Sequence, residues 1–186
     1  MGLTDAANLL IAVNATRHAN EAVRAVTFYR PMVPHEYVAT DRRRVLEQTG
    51  TLGEAIEQLL AAVMAGGLPP SFIGRPVPEH LRESFSKGNG NIFLKFNISY
   101  FAATLRIEPT DAGSMAIPDS TKNPSSSRAL SFDFFPISKA PKNRPDLEGR
   151  ISYQTFREAI GDRIEETTIS HRTISAVAAL IQANKA

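Results

Sequence analysis

The sequence predicts an α+β domain that is mainly helical, with a small antiparallel β element at about residues 92–107 and 129–135 and a helix near the C-terminal end. Three patterns carry this expectation. Thr51-Leu52-Gly53-Glu54 has the form of a capping box, a strict apolar–polar alternation runs from Ile92 to Tyr100, and helical spacing returns after Ser152. With 186 residues, 42% of them hydrophobic and 22% charged, the chain has the size and composition of one domain that buries a core without staples. Residues 1–186 are therefore read as a single domain with proline-rich connections at about 29–38, 67–78, 109–127 and 136–150.

Thr4 is placed to cap a first helix reaching about Val26. Leu9, Val13, Ala19, Val23 and Val26 form its packing side, and Asn14, Arg17, Glu21 and Arg24 its polar stripe. Pro31 and Pro34 deny a helix to the next segment, which reads as an extended connection. In the helix that starts at Thr51, Ile56, Leu59, Leu60, Val63 and Met64 share one face, and Gly66-Gly67 with Pro69-Pro70 stops it. Leu81 and Phe85 share one face of a short helix that Gly88-Asn89-Gly90 ends.

Ile92, Leu94, Phe96, Ile98 and Tyr100 then alternate with Phe93, Lys95, Asn97 and Ser99, as only a strand with one dry face does. The run continues through Phe101, Ala103, Leu105 and Ile107 with its phase shifted by one, which predicts a bend or bulge near Tyr100. Leu130, Phe132 and Phe134 form a second strand suited to antiparallel pairing with the first. Phe156, Ile160 and Ile164, then Ile174, Val177, Ala178 and Ile181, predict one kinked helix or two consecutive ones. Gly161 and Thr167-Thr168 are the interruptions.

The chain has no cysteine, which excludes disulfides, thiolate metal sites and a cysteine nucleophile. No stretch is long and apolar enough for a membrane span, and the start lacks the pattern of a secretory signal. His18, His35, His80 and His171 lie far apart in sequence with no pair at ligand spacing, so no metal site is expected. Gly88-Asn89-Gly90-Asn91 lacks the third glycine and the following helix of a phosphate-binding loop. No nucleophile elbow, P-loop or kinase set is present. The expectation is a protein that is not an enzyme and carries no cofactor.

Net charge is only +2, so a polyanion partner is permitted rather than demanded. Basic residues gather in two places. One is Arg42-Arg43-Arg44. The other is the segment 122–150, where Lys122, Arg128, Lys139, Lys142, Arg144 and Arg150 face only Asp133, Asp146 and Glu148; six cations against three acids leave +3. Such a strip suits sequence-independent phosphate contacts, and Arg42, Arg43, Arg44, Arg128, Lys139, Lys142 and Arg144 are the candidate nucleic-acid contacts.

The segment Ser131-Phe132-Asp133-Phe134-Phe135, preceded by Arg128-Ala129-Leu130, resembles the Phe-Asp-Phe-Phe signature of coat proteins from flexible filamentous plant RNA viruses. The resemblance implies a mainly helical core. It also implies that Asp133 pairs with an arginine of an upstream helix near the RNA groove, for which Arg82 in Leu81-Arg82 is the counterpart. The order of parts fits as well, with a helical N-terminal region, a core, the motif and a C-terminal extension.

Two readings follow. The first is a structural subunit that assembles with copies of itself into a coat or nucleocapsid, in the virion or the cytoplasm, and holds single-stranded RNA through arginine and lysine. The alternative is a small non-enzymatic module, cellular or phage-encoded, that docks a protein partner and binds no nucleic acid.

Overall fold

Thr51 starts a helix as its sequence requires. Its backbone N–H donates to Glu54 Oε2 at 2.7 Å, and Glu54 N–H donates to Thr51 Oγ1 at 3.3 Å, so each residue satisfies an exposed donor of the other. The computed structural model describes residues 1–16, 18–38, 42–45, 50–98, 102–110, 129–136 and 166–184. Among the described residues the helices are, in order, α1 (Leu3–Asn14), α2 (Ala22–Tyr29), α3 (Leu52–Met64), which is the helix from Thr51, α4 (Glu79–Ser86) and α5 (His171–Ala183). Leu52, Ala55, Ile56, Leu59 and Leu60 of α3 are buried, and Gly66 at φ 72° takes the left-handed conformation that ends it.

The first helix is shorter than its sequence suggests. It starts at Leu3 after Gly2, whose N–H donates to Asp5 Oδ2 at 2.9 Å, and ends at Asn14. Thr16 Oγ1 then donates to the His18 carbonyl at 2.8 Å and accepts from His18 N–H at 2.9 Å. That side chain offers the backbone an alternative to helical bonding, and the chain restarts as α2 after a 3-10 turn at Ala19–Glu21. The buried face is also the other one. Ala6, Ala7, Leu10 and Ile11 enter the core, while Leu9, Val13 and Val23, expected to pack, are exposed.

A six-stranded antiparallel sheet organises the domain, so it is not the mainly helical fold with a small β element that the sequence suggests, nor the helical core that the coat-protein resemblance implies. Its strands are β1 (Val33–Val38), β2 (Arg42–Val45), β5 (Gly90–Asn97), β6 (Ala102–Pro109), β7 (Leu130–Phe135) and β8 (Glu166–Ser170), in the order β2-β1-β7-β6-β5-β8. Three of these were not expected. Pro34 is the second residue of β1, beside Phe134 of β7 and ahead of the first β1–β2 pair, His35 with Val45. Arg42-Arg43-Arg44 is edge strand β2. Thr167-Thr168, read as a helix interruption, belongs to β8, which suits their β-branched side chains.

The run from Ile92 to Ile107 is not one bulged strand but two, β5 and β6, paired antiparallel with Ile92 beside Ile107 and Phe96 beside Ala103; Tyr100 itself lies outside the described residues. Strand β7 pairs antiparallel with β6, Leu105 lying beside Phe132. One sheet face carries Ile92, Leu94, Phe96, Ala103, Leu105, Ile107, Leu130, Phe132, Phe134 and Ile169. All are buried in one cluster with the apolar residues of the helices. The predicted helix at 152–164 and the arm at 136–150 lie outside the described residues, apart from Pro136.

A small hairpin, β3 (Ser71–Phe72) with β4 (Arg75–Pro76), closes one side of the core. Phe72 packs on Phe132 with ring centroids 5.6 Å apart, and the Arg75 guanidinium lies over the Phe132 ring at 5.4 Å. Its turn puts both Ile73 (φ 48°) and Gly74 (φ 69°) in left-handed backbone. A β-branched residue is rarely found there. Ile73 is held in place by burial at 2% exposure and by its N–H donating to Gln58 Oε1 at 3.3 Å.

Candidate interaction surfaces

The other face of the sheet carries mostly polar residues. Alternation places His35, Asp133, Thr104, Lys95 and Thr168 in one row across β1, β7, β6, β5 and β8, with Ser131, Arg106, Phe93 and Ser170 in the next. Two of its cations are neutralised locally. Lys95 pairs with Glu166, which also accepts from Asn97 Nδ2 at 3.0 Å, and Arg106 Nε lies 2.7 Å from Glu108 Oε2. With Asp133 added, acids on this face match or outnumber cations, so its described residues make no basic patch for a polyanion.

Two aromatic rings stand among these polar groups. Phe93 lies beside Arg106 in the β5–β6 register, and Phe135 stacks on His35 with centroids 5.2 Å apart and planes 27° from parallel. Both are partly exposed. Sequence reasoning missed them, although the signal was present: each occupies the polar phase of its strand's alternation.

Arg82 and Asp133, paired by the resemblance, are not brought together. Leu81 and Phe85 anchor α4 on the covered side of the sheet, with Phe85 packed over Gly90 of β5. Asp133 points to the polar side, where its Oδ1 accepts from Thr104 Oγ1 at 2.7 Å. The sheet lies between them, and Arg82 Nε is buried without a hydrogen-bond partner. Arg42, Arg43 and Arg44 do lie together, as the backbone of edge strand β2. Arg128, Lys139, Lys142 and Arg144 lie outside the described residues.

The helices also expose large apolar side chains. Leu9 is 49% exposed, Val13 66%, Val23 78% and Leu180 58%. Between Ala6 and Asn14, α1 carries no charged residue, and α5 carries none from Thr173 onward. Helices that face only water present charged residues on that side.

The remaining features offer little chemistry. An open groove of about 520 Å³ between α3 and the β3–β4 hairpin is lined by Gln58, Ala61, Ala65, Leu68 and Ile73, among others, without one ionisable group. Ser175 Oγ lies 3.2 Å from His171 Nε2, but His171 Nδ1 is buried with no hydrogen-bond partner, so nothing orients the ring as a base. Among the described residues no group of three His, Cys, Asp or Glu is arranged to hold a metal ion, and no helix is long and apolar enough to cross a membrane. Compared with protein-family models, with curated proteins and with solved structures, the chain matches none.

Proposed function

We propose that this chain is a non-enzymatic structural subunit that associates with copies of itself through the polar face of its sheet. The observation that carries the reading is the pair of partly exposed rings, Phe93 and Phe135, set among charges that are already neutralised. Aromatic side chains supply most of the burial energy at interface centres, where charged groups are depleted. Lys95 and Arg106 are paired within this face, so they repel a copy of it little.

Light scattering over a range of concentrations, with negative-stain microscopy, tests the reading. The expected result is a species larger than one chain that Phe93→Asp with Phe135→Asp disperses. A strict monomer at high concentration sinks it.

A second reading has one observation in its favour. Arg42, Arg43 and Arg44 form an edge strand together, which suits an assembled coat or nucleocapsid that holds single-stranded RNA through phosphate contacts. It predicts RNA binding that weakens steeply with salt and is reduced by Arg43→Ala.

A further inference from the structure

We propose that a second copy of this chain docks on the outer face of helices α1 and α5, with the α1 ridge Asp5, Leu9, Val13 of one copy lying in parallel along the α5 ridge Arg172, Ala176, Leu180 of the other. This contact is separate from the one through the sheet, and it goes beyond the reading given above.

The six residues are all exposed, and each trio follows the i, i+4, i+8 spacing of one helical ridge. Rows of this spacing are those by which helices most often interdigitate. Because the two ridges share one repeat, a parallel crossing that sets Asp5 against Arg172 also sets Leu9 against Ala176 and Val13 against Leu180. Opposite charges meet at one end, a large side chain meets a small one, and two apolar side chains meet at the other end. An antiparallel crossing places Asp5 on Leu180 and Arg172 on Val13, burying each charge without a counter-ion, which is costly. Charge therefore fixes the direction. Asp5 keeps capacity for the pair, since its bond from Gly2 N–H uses only Oδ2.

Charge also selects the occupant. Past Asp5 and Arg172 the two helices offer no ion to an acidic or basic partner. They offer instead the methyl-rich surface of Leu9, Val13 and Leu180, exposed by 49%, 66% and 58%. A second copy brings both the matching apolar surface and the matching charge. With two separate self-contacts, a subunit builds assemblies larger than a pair.

Analytical ultracentrifugation of the full chain tests this at low and moderate salt. Val13→Glu with Leu180→Glu places acids in the contact and should weaken this association by at least ~30-fold. Arg172→Asp should weaken it about threefold at low salt, and adding Asp5→Arg should restore it, because the pair is re-formed with its signs exchanged. Thermal melts of each variant establish that the monomer still folds. If both contacts exist, each pair of changes gives assemblies smaller than those of the wild type, and the two pairs together give monomers. An assembly whose size ignores the Val13 and Leu180 changes overturns this proposal and leaves the sheet-face reading standing. An assembly that the helix-face changes reduce to monomers, while the Phe93 and Phe135 changes leave it intact, supports the helical contact and removes the sheet contact. A wild-type monomer overturns both.

Discussion

Thr104 Oγ1 donates a 2.7 Å hydrogen bond to Asp133 Oδ1 across the β6–β7 register, on the side of the sheet away from Arg82. A carboxylate that is exposed and already bonded needs no arginine. Asp133→Asn keeps the acceptor and should change stability by less than about 1 kcal/mol. Arg82→Gln removes a cation whose Nε is unpaired, with an effect of similar size from lost stem packing. Thermal unfolding of both singles and the double should give effects that add within about 0.5 kcal/mol. Coupling well beyond that would restore the pair that the coat-protein resemblance implies.

Leu60 is fully buried on α3. Leu60→Ala leaves a cavity and should cost about 2 to 5 kcal/mol in chemical denaturation. A cost below about 1 kcal/mol would mean that this helix face does not pack as described.

Gly53 is fitted closely to Arg30. A Cβ at Gly53 would lie 2.5 Å from Arg30 Cγ, and Arg30 bridges α1 and α3. Its Nη1 donates to Asn8 Oδ1 at 2.7 Å while Nη2 pairs with Glu57. Gly53→Ala must push that side chain away and should cost about 1 to 3 kcal/mol despite the gain in helix propensity. Once Arg30 is displaced, Glu57→Gln has less to remove. The double variant should therefore lose less than the sum of the singles, read by denaturant unfolding.

What the sequence revealed depended on whether a local pattern had one physical solution. The α3 start was legible because Thr51 and Glu54 satisfy each other's donors with no outside help, and β5 and β7 because Ile92–Ile98 and Leu130–Phe134 alternate over one buried face. The α1 boundary was hidden in the competition between Thr16 Oγ1 and helical bonding at His18. Its face was misread because Leu9 and Val13 are as apolar as Leu10 and Ile11, and periodicity alone does not say which apolar stripe meets the sheet. Strands β1, β2 and β8 depend on neighbours distant in sequence, so Pro34, Arg42–Arg44 and Thr167-Thr168 showed only their local preferences. The same limit applied to the surfaces. Phe93 and Phe135 were visible as residues out of phase, yet their neighbours His35 and Arg106 emerge only from the register of the sheet.

Tyr29 links the helical layer to the sheet and gives the fold an alkaline limit. Its ring is 1% exposed, in edge contact with Phe28 and Phe96 at centroid distances of 5.4 Å each. Its hydroxyl reaches the Asn97 carbonyl at 3.5 Å, a long bond that contributes little. Burial disfavours the phenolate and raises the ionisation of Tyr29 well above the ordinary tyrosine value of about 10. In the unfolded chain the same group ionises near that ordinary value. Above about pH 10 the folded state therefore holds a proton that the unfolded state has released, and stability falls as pH rises, by up to about 1.4 kcal/mol per pH unit from this group. Below that pH both states are protonated and the contribution is constant. Tyr29→Phe should accordingly change stability near pH 7 by no more than about 1 kcal/mol. It should also flatten the loss of stability between pH 10 and 11, measured by denaturant unfolding at each pH. The phenolate absorbance gained by native protein over the same interval should be equal in wild type and variant, because Tyr29 does not ionise until the fold opens. A smaller gain in the variant would mean that water already reaches the ring in the native state.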